Sequence, residues 1–189
     1  MNMSKLDVTV PRVLGALIAF GMSTSALADG PKPGPPSPDA GKAGSEFGYF
    51  VGKWRCEEKW SKTDFSPAYE STATLEATSV TDGVWVAWSY VQDVSPKNPH
   101  PPKGNDLWGY DPAQKSFVRE KFDNYAPGVI THLTSKGFLG DLISWEGQAP
   151  TPKGPAPFKH TFKKLSEKAI EGKLYFGGQQ FYLSKCTKQ

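Results

Sequence analysis

Reactive side chains are scarce in this sequence. It has two cysteines and three histidines in 189 residues, and 22 bases nearly balance 19 acids. No His, Cys, Asp or Glu spacing resembles a zinc site, so neither a metal nor a cofactor is expected. No basic block exists beyond the doublet Lys163-Lys164, which disfavours nucleic acid as a partner. Long helical periodicity is missing, as are a nucleophile elbow, a phosphate-cradling glycine loop and a dinucleotide fingerprint. The apolar run Val13 to Met22 is about half the roughly 20 residues that a membrane-spanning helix needs, so stable membrane insertion is not expected.

That run has another meaning. Lys5 and Arg12 precede it, and Ala26-Leu27-Ala28 follows, which is the order of a secretory signal peptide over residues 1–28. Residues 29–44, with Pro31, Pro33, Pro35, Pro36 and Pro38, read as a disordered extended leader. Without residues 1–28, 161 residues remain with 20 bases and 18 acids, net +2, enough for one domain at 45–189. The expected location is the periplasm or outside the cell, where disulfides persist.

What is present is β-structure. Glycine, proline and aromatic residues abound, and turn signals recur at short intervals. From Lys53 to Trp60 the odd positions are charged, whereas Trp54, Cys56, Glu58 and Trp60 share the other face, the period of a half-buried strand. Gly52 allows a tight bend into it. About nine further strands follow, over 69–79, 84–94, 107–110, 116–125, 129–135, 142–147, 159–164, 169–176 and 179–186. Ser45 to Phe50 is expected to form one helical turn plugging an end. In the 116–125 strand, Arg119, Lys121 and Asp123 are assigned outward, and Val118, Glu120 and Phe122 inward.

Loop lengths orient the strands. In an up-and-down order, the long connections 61–68, 95–106 and 148–158 share one end, and the tight turns share the other. The expected fold is therefore all-β: a single antiparallel up-and-down barrel of about 8–10 strands with an open mouth and a closed base. Cys56 on the first strand and Cys186 on the last are then neighbours near the base, and a disulfide closing the barrel is expected, the alternative being two free thiols.

Phe50-Val-Gly-Lys-Trp54 resembles the Gly-x-Trp opening of lipocalin-like (calycin) barrels. The run Trp108-Gly-Tyr-Asp-Pro, Phe117-Val-Arg, Phe122-Asp-Asn, Ile143-Ser-Trp-Glu-Gly, Phe162-Lys-Lys and Cys186 is similar to a family of exported bacterial lipocalin-like proteins of unknown function. The likeness spans Glu46 to Thr187. It implies the barrel and no activity.

Candidate site residues follow from parity. Glu58, Glu120 and Tyr182 fall on inward faces, and His160 lies between Phe158 and Phe162, pointing inward near the mouth. His132 fits either face, and His100 belongs to a solvated loop. Glu58, Trp60, Trp88, Tyr90, His160 and Tyr182 form the expected binding set for a small apolar or amphipathic ligand. The alternatives are an isomerase- or hydrolase-type enzyme using Glu58 or Glu120 with His160, and a structural envelope protein with a filled core. Haem is a further alternative, with His160 or His132 as its ligand, although the glycine-rich first strand of the nitrite- and haem-binding barrels is absent. Oligomeric state is left open.

Overall fold

In a computed structural model, the described residues are 39, 41–63, 66–125, 128–151 and 154–189. The expected signal peptide and most of the expected leader, all but 39 and 41–44, lie outside them. A short helix, α1 (Lys42–Phe47), begins three residues earlier than Ser45 and runs into a 3-10 turn, Gly48–Phe50. The strands are β1 (Gly52–Trp60), β2 (Tyr69–Val80), β3 (Trp85–Gln92), β4 (Lys103–Asp111), β5 (Ser116–Asp123), β6 (Thr131–Ser135), β7 (Phe138–Leu139), β8 (Leu142–Ala149), β9 (Ala156–Ser166), β10 (Ala169–Phe176) and β11 (Gln179–Lys188).

Every pairing is antiparallel. The sheet order runs β6-β5-β4-β3-β2-β1-β11-β10-β9-β8, and β6 pairs again with β8, so ten strands close into a barrel with the two-residue β7 outside the ring. The closing seam is thin, consisting of Leu133 opposite Gly147 and Thr134 opposite Glu146. Glycine is required there: a Cβ on residue 147 would meet the His132 carbonyl oxygen at 2.5 Å.

The two ends differ as loop length implied. β1, β3, β5, β8 and β10 run from base to mouth and the others return, so β1, β3 and β8, which precede the long connections, all end at the mouth. At the base, the Asp111 carboxylate accepts from the Ala113 and Gln114 amides, turning β4 into β5. Gly52 bends into β1 with φ +126°, a conformation that favours glycine.

The helix plugs the base. Ala43 and Phe47, four residues apart, share one helix face and are fully buried, as is Phe50. The Phe47 ring meets Trp108, Phe117 and Trp145 at centroid distances of 5.2, 4.9 and 5.7 Å. Phe50 packs on Trp88, Trp108 and Phe162, and its carbonyl accepts the Trp54 indole N–H at 2.7 Å. The lower half of the barrel is thus aromatic and close-packed.

Cys56 and Cys186 are directly opposed on β1 and β11 and form the expected disulfide, with Cα atoms 3.9 Å apart. Cys56 sits midway along β1 rather than low, opposite a residue near the base end of β11, because the strands are staggered.

Candidate functional site

The upper half of the barrel is polar. Glu58 is next in line after Trp54 and Cys56 on the inward face of β1, and it is 1% exposed. Its Oε2 accepts from Gln92 Nε2 at 2.7 Å, Ser71 Oγ at 2.8 Å and Tyr90 OH at 3.1 Å, with Trp60 Nε1 at 3.4 Å; its Oε1 accepts from Tyr182 OH at 2.8 Å. All five donors are neutral. Burial beside this carboxylate pushes the Tyr90 and Tyr182 hydroxyls far above their ordinary value of 10, so both stay protonated and donating. Trp60 stacks on Tyr69 and packs against Tyr182, forming an aromatic collar above the carboxylate. The network reaches the mouth loop after β3, since Asn98 Nδ2 donates to Gln92 Oε1 at 2.9 Å.

A second network stands on β4, β5 and β9. Arg119 is 2% exposed; its Nε and Nη2 donate to Asp106 Oδ2 at 3.0 and 2.5 Å, and its Nη1 lies 2.8 Å from His160 Nδ1. The guanidinium carries only donors, so His160 Nδ1 accepts and the ring proton resides on Nε2. Burial, then the positive charges of Arg119 and Lys121, hold His160 well below its ordinary 6.5, so the imidazole is neutral. Burial also lowers Arg119, against the opposing pull of Asp106. One step nearer the mouth, Lys121 pairs with Asp123 on the same inward face.

This arrangement corrects the sequence reading of β5. The tight β4–β5 turn sets Tyr110 opposite Phe117 and Trp108 opposite Arg119, so Phe117, Arg119, Lys121 and Asp123 point inward. Val118, Glu120 and Phe122 point outward. Glu120 is therefore on the outer wall, bonded at 2.6 Å to His132, which faces outward beside it. Charge was taken as a sign of solvent, whereas here the charges are paired inside. The sequence signal for the true parity was Phe117, which shares a face with Arg119 and belongs with the aromatic floor.

The other candidates divide. Trp88, Tyr90, Trp60, Tyr182 and Glu58 all line the interior. His160 is inward and 8% exposed, as expected, but lies midway along β9, opposite Trp145 and Leu174. It does not join Glu58: each side chain keeps its own hydrogen-bond set, so the expected Glu–His pair is not formed. Its ring packs on Phe162 at 4.1 Å, whereas His132, the other haem-ligand candidate, is on the outer wall. Trp85 lies outside across Gly109, where no side chain could fit beneath it. Missed altogether were Asp106, Gln92 and Ser71, and Arg119 was placed on the wrong face; their roles depend on which strands become neighbours.

Among the described residues, four buried ring nitrogens have no hydrogen-bond partner: Nε1 of Trp88, Trp108 and Trp145, and Nε2 of His160. All four are donors. Arg119 lies over the Trp108 and Phe162 faces at 5.4 and 5.8 Å. The interior thus runs from an aromatic floor carrying unmet N–H donors to a charged, aromatic-collared mouth. No group of three or more His, Cys, Asp or Glu residues placed to hold a metal occurs among the described residues, and no helix among them is long and apolar enough to cross a membrane.

A family model described as a protein of unknown function (DUF1579) matches residues 45–178. No curated protein matches the chain. Among solved structures, a redesigned beta barrel aligns with 7% identity and a TM-score of 0.40, covering 78% of this chain and 95% of that one. With the matched segment running from the plugging helix to the last hairpin, the chain belongs to the DUF1579 family.

Proposed function

We propose that this chain is an exported lipocalin-like (calycin-type) barrel, periplasmic or secreted, that binds a small amphipathic molecule through its mouth. The reading rests on one observation: Glu58, Asp106, Arg119, Lys121 and Asp123 all face the interior of a barrel whose lower half is already packed. A core that served only stability would gain nothing from such groups, because apolar residues of equal volume are as stable or more so. The collar of Trp60, Tyr69, Tyr90 and Tyr182 suits an apolar body. Lys121, 24% exposed, and the donor face of His160 suit a head group bearing acceptors. A disulfide and a segment of signal-peptide pattern support export. An enzyme built on a Glu–His pair is disfavoured by the separate networks of Glu58 and His160.

Native mass spectrometry of protein purified from its own host is the test. A co-purifying small molecule at one per chain, released by denaturation and reduced when Tyr90 is changed to Ala, is expected. If nothing co-purifies, no amphipathic probe alters tryptophan fluorescence, and apolar replacement of Asp106 and Arg119 together raises the melting temperature, the structural envelope reading replaces this one.

A further inference from the structure

The mouth is greasier than a soluble rim requires. Val94, in the loop after β3, is 72% exposed; Tyr125, Val129 and Ile130, between β5 and β6, are 61%, 37% and 65% exposed. The two loops are joined. Asn124 Nδ2 donates to the Pro101 carbonyl at 3.1 Å, and the Lys103 amide donates to Asn124 Oδ1 at 2.8 Å. The first loop is also anchored to the interior through Asn98 and Gln92, so its tip is presented on a fixed support. Clustered exposed apolar side chains mark an interaction surface.

Charge selects the partner. Lys62, Lys97 and Lys103 are exposed on the same end, and among the described residues none has an ion-pair partner. Among the described acids at this end, Asp93 pairs with Arg55 and Asp123 with Lys121. Apolar and aromatic tips flanked by unpaired lysines match an anionic lipid surface, where apolar side chains enter the headgroup boundary and each lysine near the surface adds electrostatic attraction. A protein interface would instead pair charge with charge and deplete lysine at its centre.

We propose that the barrel docks mouth-down on an anionic bilayer, with Val94, Tyr125, Val129 and Ile130 in the headgroup region and Lys62, Lys97 and Lys103 against the headgroups. Docking requires no ligand in the barrel, so it stands or falls separately from the binding reading.

Co-sedimentation with vesicles tests it, using phosphatidylglycerol–phosphatidylcholine mixtures against phosphatidylcholine alone. Full-length chains are compared, so any contribution of residues 1–28 is common to all and the difference between variants is the readout. Partitioning is expected to be about tenfold stronger on the anionic vesicles at low salt and to weaken as salt rises. The V94S/I130S variant should lose about tenfold, and K62Q/K97Q/K103Q, whose side chains are too exposed to affect folding, should lose the preference for anionic lipid. The control L139S/L165S, which alters the exposed leucines at the base, should bind as the parent does. The proposal is overturned if partitioning is equal on both lipids, if the base variant is the one that fails, or if V94S/I130S abolishes a lipid-independent dimer in sedimentation while vesicle binding is unchanged.

Discussion

Replacing Glu58 separates the hydrogen bonds of the upper network from its charge. Four partners bond this 1%-exposed carboxylate at 2.7 to 3.1 Å. In Glu58→Gln the amide oxygen can take the place of Oε2, which holds Ser71, Tyr90 and Gln92, while the amide nitrogen faces Tyr182, whose hydroxyl turns to accept. The bonds persist but lose charge assistance, at a cost of about 2 kcal/mol. Glu58→Ala instead leaves three buried hydroxyls short of a partner and opens a void, costing about 4 kcal/mol. Gln92 Nε2 is partly protected, because it also donates to Ser71 Oγ at 2.8 Å. At 2–4 °C per kcal/mol, the melting temperature should fall by about 6 °C for Gln and about 12 °C for Ala. Urea and thermal unfolding followed by tryptophan fluorescence measure both. Equal losses for the two variants would refute the reasoning, since charge rather than bonding would then be what the site requires; a loss below about 1 kcal/mol for Ala would show the network to be slack.

Three further outcomes are expected. Reducing Cys56–Cys186, or replacing both by Ala, should lower stability by up to about 5 kcal/mol, from the entropy of an open 130-residue separation; thermal melts with and without reductant check it, and unchanged melts would count against closure. His160 is held neutral in the fold, so an unfolded ring of ordinary pKa 6.5 takes up a proton first; stability is full above about pH 6.5 and declines below it by up to about 1.4 kcal/mol per pH unit. Urea midpoints from pH 7.5 to 5.5 should show that slope, and His160→Gln, whose amide can accept from Arg119 and still donate, should flatten it with little loss at pH 7.5. Gly147→Ala places a Cβ 2.5 Å from a backbone carbonyl at the two-pair seam and should cost about 2 kcal/mol or more, with hydrogen exchange rising first in β6 and β8; exchange unchanged there would mean that the seam does not limit closure.

Barrel, strand order and disulfide were legible because each rests on local periodicity and counting. Trp54, Cys56 and Glu58 alternate with charge, and an up-and-down order forces β1 beside β11. The polar interior was legible only where an apolar pattern framed it. His160 is flanked by Phe158 and Phe162, so its direction could be read; Arg119 is flanked by Val118 and Glu120, and the pattern on β5 pointed the wrong way. What decides that strand is the register of the β4–β5 turn, which joins Trp108 to Arg119 and brings Asp106 within reach. Cross-strand partners such as Gln92 and Ser71 have no sequence signature, because their meaning comes from the strand placed next to them.

Strand number explains why the two halves differ. Barrel diameter grows with the number of strands, and about eight give an interior that wall side chains can just fill. This barrel has ten, so its walls enclose a wider axis. At the base that width is filled from outside the sheet: α1 and the following turn insert Phe47 and Phe50 between Trp108, Trp145 and Phe162. At the mouth the loop after β3 reaches in through Asn98, which donates to Gln92 and Tyr69. There the lining turns to groups that hold one another across the lumen, Glu58 with Gln92 and Tyr182 on one side, Arg119 with Asp106 and His160 on the other. Networks of this kind keep charged groups in fixed positions. The barrel is thus stoppered by aromatic rings at one end and lined with fixed polar groups at the other, and the aromatic collar and lysine-flanked rim stand on that polar side.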